Sequence, residues 1–442
     1  MLLDIRVPVI RILRDSIHIE SCRYSDIQSN SYRKAMDIHP IMLKKGKAFR
    51  LELPKRRQTV GIVLVCGMGD TGQLGLGSPV LLLNRLTMVR RIPNPVDVCA
   101  GGMHCLVLTE NGDIYSFGCN AEGALGRSSS DPDCRDSVPA LVDLPGKALC
   151  ISAGDTHSAC ILEDGSVYAW GSFFHSHGSM GLTDDDNKRV PTNILPGTVC
   201  CSIASGSDHL VILTTSGKVY TLGCAEYGQL GRISERSLSG EGRRGKQDLL
   251  RPDQIVIKSA KRFDAIWATH YGTFLRGSQT GIIWAVGLND SKQLANEKVL
   301  EPDHFIYPVK TALQNIKQIA GGAEHTLLLQ NNMECFAVGS PHHGRLGLGD
   351  VKDVVPNLTR VKKLSDNIVY VGCGTHCSYA ITEDGKLYSW GLGSNNQLGV
   401  GDGDDELEPV LVSSKNTQDR KMLLASGGGQ HGLFLVEANA KD

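Results

Sequence analysis

The chain has 442 residues, 41% hydrophobic and 21% charged, and its 46 Lys/Arg against 47 Asp/Glu leave a net charge of −1. These proportions fit a soluble globular protein. They exclude a collagen-like chain, a wholly disordered chain, and one drawn to nucleic acid by overall charge alone. The balance conceals an asymmetry, because residues 1–57 hold 13 Lys/Arg against 6 Asp/Glu while 58–442 hold 33 against 41.

The first segment, MLLDIRVPVIRIL, is interrupted by Asp4, Arg6 and Arg11, so it reads as neither a signal peptide nor a membrane span. Residues 1–43 show no clear pattern and are left as either an amphipathic segment or disordered chain. The stretch KKGKAFRLELPKRR sets Lys44, Lys45, Lys47, Arg50, Lys55, Arg56 and Arg57 against Glu52 alone. A run of that kind serves as a nuclear-import signal, a phosphate-binding arm or simply a solvated tail. Residues 1–57 are therefore expected to form a flexible tail with a basic segment at 44–57.

From GIVLVCG (61–67) onward the sequence repeats. One slot, filled by His104, His157, His209, Gly272, His325, Cys377 and His431, recurs at spacings of 53, 52, 63, 53, 52 and 54 residues. Each slot opens an apolar strand, as in GGMHCLVL, SAGDTHSACIL and SGSDHLVIL. Asn111–Gly112, Asp164–Gly165, Ser216–Gly217, Thr280–Gly281 and Asp384–Gly385 make tight turns into a second strand. Glycine-rich turns such as NAEGALG, EYGQLG and GSNNQLGVG then lead to a further strand. No stretch of 12 residues sustains a helical period. Several short strands per unit, repeated seven times at about 50 residues, predict an all-β, seven-bladed β-propeller. The first unit lacks its opening and the last, GGGQHGLFLVEAN, lacks its finish. Pairing of the N- and C-terminal strands would close the ring and remove exposed sheet edges. The propeller is expected over 58–442 as one domain.

Several motifs are rejected on chemistry. The 14 cysteines form no C-x-x-C pair and read as small core side chains in a reduced compartment. No metal site and no cofactor are expected. GEGRRGK (240–246) imitates a phosphate loop, but Gln247 stands where a Mg²⁺-binding Ser or Thr is needed. It reads instead as part of a basic insertion over 232–253, carrying Arg236, Arg243, Arg244, Lys246 and Arg251, with Lys258, Lys261 and Arg262 close behind. A loop of that length is either functional or disordered. The recurrent histidines read first as architecture between blades. Residues that break the repeat are more telling: Asp155, Asp208 and Glu324 gather acid at one mouth of the ring, and FFHSHGSM (173–180) replaces the regular turn after Trp170 with a protrusion.

Taken together, GDTGQLGLG, GGMHCLVL, YSFGCNAEGALGR, SAGDTHSA, YAWGSF, ASGSDHLV, YTLGCAEYGQLGR and SGGGQH resemble the regulator of chromosome condensation family over about residues 60–438. Its members are chromatin-bound guanine nucleotide exchange factors for the small GTPase Ran. The resemblance implies a nuclear protein that accelerates GDP and GTP release without covalent chemistry. It also implies Asp155, Asp208 and Glu324 in exchange, and Asp70, His104, Arg232 and His431 on the GTPase-binding face. Phe174, His175, Ser176, His177 and Gly178 would form a wedge. Phe174 stands where the family can carry Arg, and Glu324 where it has an exchange-linked His. The nucleosome would be met by Lys44, Lys45, Lys47, Arg50, Lys55, Arg56 and Arg57 on DNA phosphates, by Arg243, Arg244 and Lys246 near acidic histone surface, and by Lys258, Lys261 and Arg262. Importin would read the basic segment, and no membrane is involved. A propeller scaffold binding chromatin or protein partners without exchange is the alternative. An enzyme with a pocket in the central channel ranks third, because no nucleophile–base pair escapes the repeat.

Overall fold

The computed structural model describes the strands at 6–13 and 16–23 and residues 49–439, apart from the short segments 78–79, 129–135, 185, 239–244, 297–302 and 366. The chain divides into two compact units, Met1–Phe49 and Arg50–Asp442. In the first, Arg6–Leu13 pairs antiparallel with Ser16–Arg23, with Ile10 opposite Ile19 and Ile12 opposite Ile17. The sequence reading found no element here. The β-branched alternation that favours a strand lies within RVPVIRIL, where the arginines mask it.

The second unit is a ring of seven four-stranded antiparallel sheets. Blade 1 runs Pro95–Ala100, His104–Thr109, Ile114–Gly118, Ala140–Leu141. Blade 2 runs Ala148–Ala153, His157–Leu162, Val167–Gly171, Lys188–Asn193. Blade 3 runs Cys200–Ser205, His209–Thr214, Val219–Gly223, Asp253–Gln254. Blades 4, 5 and 6 open at Phe263–Thr269, Ile316–Gly321 and Ile368–Cys373. Blade 7 joins Met422–Gly427 and His431–Glu437 to Gly61–Met68 and Leu82–Met88, with Gly61 opposite Glu437 and Gly67 opposite His431. Closure by the two chain ends is thus realised.

Burial is graded across each blade. The second strand is buried on both faces, as in His104–Thr109, His157–Leu162 and His209–Thr214. Such strands read as continuous apolar runs because a neighbouring blade covers each side. The outermost strands are half-buried to exposed. Among the described residues, seven buried clusters each join two adjacent blades. Leu106, Leu108, Cys160 and Trp170 bind blade 1 to blade 2, while Ala159, Ile161, Leu210 and Ile212 bind blade 2 to blade 3. Alternate residues of one strand therefore serve opposite neighbours, as the period of two requires.

Four of the five slot histidines, His104, His209, His325 and His431, latch the blades. His104 Nε2 lies 2.8 Å from Ser158 Oγ of the next blade, which itself donates to Ala124 O. His209 meets Thr273 at 2.9 Å and His325 meets Ser378 at 2.9 Å in the same manner, and each hydroxyl again donates to a turn carbonyl. The preceding glycine has a steric reason: a Cβ on Gly101 would lie 2.2 Å from the His104 ring and 2.5 Å from Gly154 O. Burial lowers the pKa of His104 to about 4 and of His157, His209 and His431 to about 3, so all stay neutral.

The described part of the basic segment, from residue 49, lies on the propeller. Leu51 N donates to Thr215 O at 2.8 Å, and Leu51 and Leu53 pack on the cluster joining blades 3 and 4. Arg56 donates to Ala148 O at 2.8 Å and pairs with Glu163 at 2.7 Å. The expected tail boundary at residue 57 is therefore corrected in that residues 50–57 belong to the propeller unit, and Arg56 is committed to the propeller rather than to phosphate. An Arg among exposed lysines looks identical in sequence whether it is free or docked, since its partners lie about 100 residues away.

Candidate functional site

The turns between first and second strands form one mouth of the central channel. Backbone bonds link them from blade to blade: Gly102 N to Gly154 O, Asp155 N to Ser207 O, Ser207 N to His270 O, Ala323 N to Thr375 O, Thr375 N to Gly428 O and Gly429 N to Gly102 O, at 2.8–3.2 Å. These bonds hold Asp155 and Asp208 beside one another.

From blade 2 a separate hairpin stands on the same side. Phe173–His175 pairs with Gly178–Gly181, and the turn passes through Ser176 and His177. Its base is anchored by Phe173, which is fully buried against Leu222 and Leu230 of blade 3 and lies 4.6 Å from the His157 ring. Its turn is open on the Gly178 side. A Cβ on Gly178 would meet nothing within 4 Å, and φ of +116° there favours glycine for conformational rather than packing reasons.

Two carboxylates of blade 3 grip the hairpin from the side. Asp208 Oδ1 accepts from Phe174 N at 2.8 Å. Glu226, in the glycine-rich turn of blade 3, accepts from both the backbone N–H and the hydroxyl of Ser176. On the far side Ser179 reaches Asn187, whose amide donates to Glu122. Burial, then the charge of Asp155 and that of Glu226, raise the pKa of Asp208 to about 7, while the Phe174 N–H opposes the rise. Tyr227 and Tyr271 pack edge to face at 5.1 Å beside this cluster.

Glu324 sits in the corresponding turn of blade 5, bound to Arg345 at 2.9 Å. Asp70 is exposed at the turn of blade 7 and accepts from Gln73. Both residues face the same end of the ring as the hairpin. Three expected face residues do not. His104 and His431 are about 1% and 0% exposed and latch blades to Ser158 and Cys105, so no partner reaches them. Arg232 spends its guanidinium on the carbonyls of Thr221, Asp248 and Arg251 at 2.8–3.1 Å, tying the insertion to blade 3. These corrections share one cause: buried polar groups must be satisfied, and a repeat satisfies them with the same residue types that bind partners.

The opposite end of the ring carries positive charge. Arg50, Lys55, Arg57, Lys258 and Lys261 are exposed there, and Arg262 lies beside the Ser278 turn. Lys246 is exposed on the insertion, whose stems leave blade 3 at the hairpin end instead. Lys44, Lys45, Lys47, Arg243 and Arg244 lie outside the described residues.

The matching family model is the RCC1-like domain, which spans residues 62–434. The chain belongs to the RCC1-like domain family. It is 64% identical over 421 residues to the Regulator of chromosome condensation of Drosophila melanogaster, covering 95% of this chain and 77% of that protein. It is 28% identical over 444 residues to the guanine nucleotide exchange factor SRM1 of Saccharomyces cerevisiae, covering 85% and 86%. Among solved structures, Prp20p of the same yeast, studied with its binding to Gsp1p and histones, matches with a TM-score of 0.78 at 26% identity, over 88% of this chain and 94% of that one. Yeast RCC1 bound to Kap60 matches with a TM-score of 0.80 at 25% identity, over 90% and 95%.

Within this RCC1-like propeller, sequence reasoning missed Glu226, Tyr227 and Tyr271. Glu226 was hidden inside a repeat-like string, CAEYGQLG, where an acidic residue follows the pattern set by Asp70 and Asp290. Only the sideways hairpin of blade 2 gives it a distinct role.

Proposed function

We propose that this chain is a chromatin-associated guanine nucleotide exchange factor for the small GTPase Ran. One observation supports the reading above the rest: an RCC1-like ring carries a separate hairpin, gripped by two carboxylates, on an acidic mouth. The hairpin is a rigid wedge that enters the GTPase near its phosphate-binding loop and Mg²⁺. Asp208 and Glu226 fix its angle, and Asp155, Asp70 and Glu324 add complementary charge for a basic partner surface. No bond is made or broken. Exchanger and nucleotide bind Ran with negative coupling, and the coupling is reciprocal, so whatever the exchanger takes from GDP affinity GDP takes from its own. GTP then resolves the nucleotide-free complex by mass action.

The test is release of a fluorescent GDP analogue from purified Ran. Sub-stoichiometric protein accelerates release from Ran, with GDP and GTP both accepted, and leaves an unrelated small GTPase unchanged. Release at the intrinsic rate would leave a passive propeller scaffold as the reading.

The basic segment and the insertion serve partners other than the GTPase. We assign the nucleosome and importin to the basic segment, and acidic histone surface to Arg243, Arg244 and Lys246 of the insertion. That places the protein in the nucleus on chromatin. Removing residues 1–49 spares the docked Leu51, Leu53 and Arg56. The truncated chain therefore loses naked-DNA affinity and flattens the log–log salt slope by roughly one unit per lost phosphate contact, while exchange on free Ran is unchanged. Charge reversal at Arg243 and Arg244 loosens nucleosomes but not naked DNA. Loss of exchange on truncation would refute the division.

A further inference from the structure

We propose that the wedge tip and the adjoining turn of blade 3 form a binding site for a borderline transition-metal dication, with Zn²⁺ the best fit. His175, His177 and Glu226 each present one ligand atom, and these atoms all lie within 4.8 Å of one another. Drawing them onto a tetrahedral ion with bonds of about 2.0–2.1 Å takes movements of about an ångström in exposed or half-buried side chains. Two imidazoles and one carboxylate, with a fourth position left to water, suit Zn²⁺. They disfavour Mg²⁺ and Ca²⁺, which take oxygen ligands.

Hydrogen bonding prepares His177. Ser176 Oγ donates to Glu226, so its lone pair accepts from His177 Nδ1 at 2.9 Å. That fixes the proton on Nδ1 and leaves Nε2 open to a metal, as outer-sphere partners do in established zinc sites. His175 is less ready. Its Nδ1 accepts from His177 N at 2.8 Å, and metal binding gives up that bond. The affinity expected is accordingly micromolar rather than nanomolar. Asp155 and Asp208 nearby supply the negative potential that draws a cation to this corner.

The site bridges two blades, with both histidines on the hairpin and Glu226 on the neighbour. A bound ion therefore staples the wedge to blade 3 and takes the tip residues out of reach of a partner. This consequence rests on the exchange reading above, whereas metal binding itself does not.

The experiment uses the full chain without a histidine tag. Zn²⁺ is titrated calorimetrically and by competition with a chromophoric zinc indicator. One zinc per chain is expected, with affinity reduced at least tenfold in His177→Ala and in Glu226→Gln, and with no heat from millimolar Mg²⁺ or Ca²⁺. Melting curves of the metal-free variants show that they remain folded. Equal zinc binding by wild type and both variants would assign the metal to other groups, such as the cysteines, and overturn the site. A second arm reads nucleotide release with and without zinc for each protein, with intrinsic release by Ran as control. Zinc slows the wild type at least tenfold and changes His177→Ala less than twofold. Zinc binding without slowing would overturn the staple. A chain that never accelerates release would instead refute the exchange reading and leave the binding result intact.

Discussion

Replacing Asp208 with alanine lowers nucleotide release from Ran by roughly ten- to a hundredfold, while the propeller stays folded. The carboxylate holds the wedge through Phe174 N, and a hydrogen bond to a charged group contributes about 1.5–3 kcal/mol. Spent on wedge position in the transition state for release, that range gives the stated factor. Asp208→Asn separates geometry from charge, because its amide oxygen still accepts from Phe174. It retains most of the activity that alanine loses. Stability moves the other way. The folded pKa of about 7 lies above the ordinary carboxylate value, so the ionised form is favoured less by the folded state. The associated stability is complete at acid pH and is lost as pH rises through 7. Asp208→Asn therefore melts higher than wild type at pH 8, and the gap narrows toward pH 5. Asparagine and alanine variants with equally low activity would show that charge, not wedge position, is the role of Asp208.

Acid weakens the ring. Five slot histidines, His104, His157, His209, His325 and His431, are buried with folded pKa values pushed below the usual 6.5 by desolvation. The unfolded chain binds protons that the folded one refuses. Stability is thus complete above pH 6.5 and falls as pH drops toward 4, by about 1.4 kcal/mol per unit for each such group. Asp97 and Asp208, with folded values of about 6 and 7, oppose the trend and recover part of it. The net loss between pH 7.5 and pH 5 remains on the order of several kcal/mol. Denaturant midpoints across that range measure it. His157 is the informative variant. The next blade has Leu210 where others supply a hydroxyl, and neither ring nitrogen of His157 finds a partner. His157→Leu is expected to match or exceed wild-type stability at pH 7.5 and to shed about one proton from the pH slope, whereas His209→Leu loses the bond to Thr273 and destabilises. A pH slope unaltered by His157→Leu would refute the assignment.

The ring, its seven blades, its closure and the position of the protruding hairpin were legible in the sequence, because each leaves a local mark that repeats or visibly fails to repeat. What escaped was long-range. Whether a histidine latches a blade or faces a partner depends on a hydroxyl about 53 residues on, as for His104 and Ser158. Arg56 looked like its neighbours Lys55 and Arg57 until Ala148 and Glu163 claimed it. Glu226 fitted its turn pattern so well that nothing marked it as the second grip on the wedge. Arg232 erred in the other direction, since the family analogy placed it on a surface while the insertion absorbs its donors.

The seam in blade 7 also sets a schedule. Gly61–Met68 leaves the ribosome before any complete blade, yet its partner His431–Glu437 is made last. At 5–20 residues per second the early strand waits on the order of tens of seconds with an unpaired edge. Until then six finished sheets stand as an open arc whose end blades each expose an apolar flank. Ring formation therefore waits for that strand, and its loss leaves a lockwasher rather than a smaller ring.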